Sequence, residues 1–145
     1  MNDRATEAKR KRLKEKDNVA WKIVRVNDEG EYQAPFSSWA GDYIYDRTGI
    51  NITVSSVQVR MMGEIWGGVF HCFTTRSAGR GAMKALKSKD HFMSQYHMKL
   101  VKVLYDREHF YGIGNAMNFS DIVMAALKDH KNNTTCVKAF TFPEN

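Results

Sequence analysis

Alternation of apolar and polar side chains sets out most of the elements of this chain. From Val19 to Val26 it predicts a strand with Trp21, Ile23 and Arg25 on one face and Ala20, Val24 and Val26 on the other. Asn27-Asp28-Glu29-Gly30 reads as a turn and Glu31 to Ala34 as its hairpin partner, ended by Pro35. Between Ile50 and Met62 the apolar phase shifts from Ile52/Val54 to Val57/Val59/Met61, so a bulge or break must fall at Ser55-Ser56, and Gly63 to Gly68 follows as a turn. Val69 to Thr74 shows no alternation, as expected of a strand covered on both faces. His97 to Asp106 alternates again, with Val101, Val103 and Tyr105 opposed to Met98, Leu100 and Leu104, and turns at Asp106-Arg107-Glu108 into a partner strand, His109 to Ile113. Thr134 to Phe142 reads as a single final strand, with Val137 and Ala139 opposed to Cys136, Phe140 and Phe142.

Two stretches change to the helical period. In Ser77 to Lys87 the residues Ala78, Ala82, Ala85 and Leu86 form one stripe, and further on Phe119, Ile122, Val123, Ala126 and Leu127 form another, capped by Asn118. Residues 36–49 follow neither period and hold Trp39, Tyr43 and Tyr45 among small and polar residues, which predicts an aromatic loop. Such a loop either folds onto the core or offers faces on which a base can stack. The order β-β-β-β-α-β-β-α-β predicts an α+β domain, a mainly antiparallel sheet with two helices packed on it.

Charge adds an arm to this picture. Residues 1–17 hold seven Lys/Arg against four Asp/Glu, giving +3, and the rest holds fifteen against twelve, also +3, for the total of +6. The first segment, centred on Lys9-Arg10-Lys11-Arg12, has almost no large apolar side chains and cannot bury itself. It is expected to be a flexible arm ahead of a single domain over 18–145, either a contact for nucleic acid or a host protein, or a solvated helix that aids solubility. Cys72 and Cys136 lie far apart within strands, as buried thiols of a reducing compartment do, and no apolar run is long enough to cross a bilayer. A cytoplasmic setting is expected.

Catalytic chemistry finds little support. There is no CxxC or HxxxH spacing, so no metal is expected; Cys72 sits in the most apolar strand, where a thiolate would be poorly stabilised. Neither an enzymatic activity nor a cofactor follows. The strongest chemical feature is the junction Thr74-Thr75-Arg76-Ser77-Ala78-Gly79-Arg80-Gly81, where hydroxyls, small residues and two cations meet a helix start. It reads as an anion site built on Thr74, Arg76 and Arg80, or as a helix cap flanked by solvated arginines. A compact phosphorylated ligand would require Arg25, Arg60, Arg76 or Arg80 to converge on one concave site, with an aromatic such as Trp39 or Phe73 against its base.

Trp21-Lys22-Ile23-Val24-Arg25, the central Gly67-Gly68-Val69-Phe70-His71-Cys72-Phe73-Thr74-Thr75-Arg76 leading into a small-residue helix, and the closing Val137-Lys138-Ala139-Phe140 resemble the layout of a group of small phage-encoded proteins. The family set beside it is the first Thoeris anti-defence family, α+β sponges that sequester cyclic ADP-ribose signals without cleaving them. The resemblance implies a non-enzymatic, homo-oligomeric binder of a cyclic nucleotide signal, with Arg25, Phe73, Arg76 and Asn115 placed for ligand contacts. The basic arm departs from the family pattern. It leaves open a nucleic-acid or host-protein target reached through the arm and loop 36–49.

Overall fold

The strands, in chain order, are β1 (Val19–Val26), β2 (Tyr32–Gln33), β3 (Ile50–Ile52), β4 (Val59–Met61), β5 (Glu64–Gly67), β6 (Phe70–Phe73), β7 (Met98–Leu104), β8 (Phe110–Gly112), β9 (Thr134–Val137) and β10 (Ala139–Thr141). One helix, α1 (Arg76–Leu86), follows β6, and a short 3-10 turn at Arg107–His109 precedes β8. The computed structural model describes residues 18–34, 44–53, 59–61, 64–67, 69–88, 95–113 and 133–143. The second predicted helix, the Ser55-Ser56 break and the arm 1–17 lie outside them.

All the pairings are antiparallel, and β1 is the strand on which the sheet turns. It pairs with β7 from Val19↔Leu104 to Arg25↔Met98, with β6 at Trp21↔Phe73, and with β2 at Arg25↔Gln33 and Val26↔Tyr32. The turn into β2 is held by Asn27, whose Oδ1 accepts hydrogen bonds from the Glu29 and Glu31 amides, while Gly30 takes φ +78°, a conformation that favours glycine. Residues 64–67, predicted as a turn, instead form β5 and pair with β4.

The final predicted strand is two strands. The sheet runs β3-β10-β7-β1-β6-β9-β8, so β9 and β10 stand four places apart although only Lys138 lies between them. Four neighbouring steps across a flat sheet cover roughly 19 Å, whereas the two peptide units from Val137 to Ala139 reach about 7 Å. The sheet must therefore curl into a half-barrel until its β9 and β10 sides meet. Lys138 is the seam: its amide donates to the His109 carbonyl, and its own carbonyl accepts from the Thr53 amide. The break also corrects the predicted facing, because Val137 and Phe140 now lie in one core cluster.

The concave face gathers Ala20, Val24, Cys72, Val103, Tyr105, Phe110, Val137 and Phe140, and the convex face packs Ile23, Phe73, Met98 and Leu100 under α1 through Ala78, Ala82 and Leu86. Cys72 and Phe73, adjacent on β6, are both fully buried on opposite faces, as the lack of alternation predicted. Both cysteines are buried and unbridged. No helix among the described residues is long and apolar enough to cross a membrane.

Candidate functional site

Helix α1 begins because Thr75 is extended and its hydroxyl accepts a hydrogen bond from the Ala78 amide at 3.1 Å. Its alanine stripe and Gly79 lie on the sheet, leaving Arg76, Arg80, Lys84 and the C-capping Lys87 exposed. At 100° per residue these four cations fall within an arc of about 80° and span about 16 Å along the axis. The helix contains no carboxylate. Two arginines near an N-terminus oppose the helix dipole, and the like-charge pairs Arg76/Arg80 and Arg80/Lys84 each cost about 0.2–0.5 kcal/mol. The exposed face is thus arranged against the helix's own stability, which comes instead from the buried stripe.

A cation–aromatic stack stands at each end of this row. The Arg76 guanidinium lies over the half-buried Trp21 ring at 5.6 Å, and Lys102, paired with Trp21 across β1 and β7, is exposed on the same convex face. At the other end, where Arg25 pairs with Met98, a member of the same core cluster as Leu86 at the end of α1, the Arg25 guanidinium lies over the exposed Tyr96 ring at 4.2 Å. Lys99 and Arg47 lie on the opposite, concave side, both over the buried Tyr32 ring at 5.8 and 3.8 Å, and do not join the row. Arg47 is presented by a tight loop in which Asp46 Oδ1 accepts from the Thr48 and Gly49 amides and the Thr48 hydroxyl, bonds that hold the Asp46 carboxyl below its usual 3.8.

Arg76 and Arg80 therefore share one surface, and Arg25 joins it from the far end. Trp21 and Arg25 are four residues apart on β1, about 13 Å, so these cations form a row and do not converge. Thr74 is half-buried at the head of the helix, and its amide donates to the Asn133 carbonyl. Phe73 is fully buried under α1 and packs as core. Trp39, Asn115, the Arg60 side chain and Lys9 to Arg12 lie outside the described residues. Of loop 36–49 the described part begins at Ile44, and Tyr45 in it folds onto the core at 4 % exposure. The sequence reading missed Lys84, Lys87 and Lys102. The signal for Lys84 and Lys87 was available in the i, i+4, i+8, i+11 spacing on the polar face of α1; Lys102 lies on β7, outside that pattern.

Three other polar features stand apart from the α1 row. Lys22, on the concave side with Ala20 and Val24, is fully enclosed: its ammonium donates to the His71 carbonyl at 3.0 Å and lies 5.5–5.9 Å from the Tyr45, Phe70 and Phe140 ring centroids. Burial pulls its pKa down, but Tyr45, Cys72 and Cys136 around it pull it up, and the balance is above the ordinary 10.5. This is an internal anchor, buried among the described residues. A shallow groove of about 270 Å³ lies on the convex side, lined among others by Asn18, Ile50, Leu104, Asp106 and His109. Among the described residues no Lys or Arg lines it, so nothing in that lining favours a phosphate. Asp106, Glu108 and His109 bring their ligand atoms within 4.8 Å of one another, on a turn where both carboxylates are exposed.

No protein-family model matches the chain, no curated protein matches it, and no solved structure matches it.

Proposed function

We propose that this chain is a non-enzymatic module that binds the phosphate backbone of nucleic acid along α1. The observation that carries the reading is the row of Arg76, Arg80, Lys84 and Lys87 on one face of a helix with no acidic residue, ending in two cation–aromatic stacks. A polyanion laid along that face offsets the repulsion within it and gains charge-assisted hydrogen bonds. The basic arm at 1–17 would extend the same electrostatic footprint.

The direct test is retention of a labelled oligonucleotide on a native gel. Arg80→Glu/Lys84→Glu should abolish it while leaving the far-ultraviolet circular dichroism unchanged; undiminished binding refutes the reading.

A second reading keeps the resemblance to the Thoeris anti-defence sponges. It rests on Arg76 over Trp21 beside the head of α1, a pairing able to take one nucleotide by its phosphate and base. Calorimetric titration of cyclic ADP-ribose isomers and cyclic oligonucleotides, repeated with Arg76→Ala, separates the two. A compact ligand should depend on Arg76 and be indifferent to Lys84 and Lys87, which a strand would use.

A further inference from the structure

Resting on the nucleic-acid reading, we infer that the α1 surface selects single strands, with bases stacking at Trp21 and Tyr96 and the intervening phosphates following Arg76, Arg80, Lys84 and Lys87. Duplex recognition from phosphates alone needs cations but no exposed rings, because paired bases keep their faces covered. This row has a ring at each end. Trp21 is half-buried and keeps its place on β1, opposite Phe73 on one side and Lys102 on the other. Tyr96 is 38 % exposed, among the few large apolar or aromatic side chains at the surface of the described residues, and it follows the connection that leads from α1 to β7.

Each ring already carries a guanidinium, at 5.6 Å on Trp21 and 4.2 Å on Tyr96. A base stacked on either ring would have an arginine within reach of its own phosphate, so one contact positions the other. The distance between the two ends is set by β1 and by the length of α1. Both are regular elements, and α1 is clamped to the sheet by Ala78, Ala82 and Leu86. The spacing of the rings is therefore built into the scaffold, as a site for an extended strand requires. Nothing in the row reads base edges, so sequence preference should be weak.

The test compares an unstructured oligothymidylate of about ten nucleotides, within the span of known single-strand sites, with a duplex of the same length, by fluorescence anisotropy at low salt. Wild type should bind the single strand more tightly. Tyr96→Leu, and Trp21→Leu chosen to keep apolar bulk, should each weaken the single strand roughly tenfold, the size of one lost stacking contact, and leave the duplex unchanged. Trp21→Phe and Tyr96→Phe should restore binding, which a merely structural role for either ring would not explain. Equal affinity for both forms with no effect of the ring variants overturns the single-strand inference and leaves the phosphate reading standing. Binding of neither form overturns both.

Discussion

Lys22 places a charged group where the alternation of β1 calls for an apolar one. Its stem leaves β1 on the face that carries Ala20 and Val24, and its ammonium is met by the His71 carbonyl and three ring faces. Removing the side chain leaves a cavity, so Lys22→Ala should cost about 2–5 kcal/mol in denaturant unfolding. Lys22→Met should stay within about 1.5 kcal/mol of wild type, since a methionine of similar length fills the site and needs no partner; a loss equal to that of alanine would show that the charge itself is required. The core also predicts a pH limit. Tyr105 is raised from 10.0 to about 12 by burial and by nearby Cys72, and Lys22 is raised above 10.5. For both groups the native state holds its proton more tightly than the unfolded chain does, so their contributions are complete below pH 10 and are lost as pH climbs above it, that of Tyr105 between 10 and about 12. The denaturant midpoint should fall over that interval, and Tyr105→Phe should lessen the fall.

Helix α1 shows how one element reconciles a stable face with a binding face. Gly79 and Gly81 look alike in sequence but have opposite surroundings: a Cβ at Gly79 would come 2.6 Å from Leu100 Cδ1, while a Cβ at Gly81 meets nothing within 4 Å. Gly81→Ala should therefore stabilise by about 0.5–1 kcal/mol, whereas Gly79→Ala should forfeit that gain and destabilise by about 1–3 kcal/mol through overpacking. Arg80→Glu gives effects of opposite sign. It relieves the like-charge repulsion with Arg76 and pairs with Lys84 at i+4, so thermal stability should rise by a few tenths of a kcal/mol while oligonucleotide binding is lost; a variant that loses both would mean Arg80 supports the fold. The limits of β1 and the start of α1, to within a residue, were legible because alternation and a threonine cap at Thr74 or Thr75 are local signals. The division of β9 from β10 at Lys138 was not, because the run from Thr134 to Phe142 is uniformly β-prone and only tertiary pairing sends its halves to opposite sides of β1.

At the scale of the whole molecule, the half-barrel encloses an aromatic interior and leaves its convex side to carry α1. Arg25, Arg76 and Arg80 were legible as candidate contacts from their faces and their place at a helix start, but their arrangement in a row was not. That arrangement depends on α1 lying along β1, which the packing of Phe73, Ile23 and Met98 beneath the helix decides. A row of cations implies counterion release in proportion to the phosphates it neutralises. The decisive measurement is the salt dependence of single-strand affinity for wild type and Arg80→Ala/Lys84→Ala. With each phosphate contact contributing about 0.7 to the slope of log K against log salt, the double variant should bind more weakly at low salt and show a slope shallower by about 1.4. An unchanged slope and affinity in that variant would contradict the assignment of α1 as the binding surface.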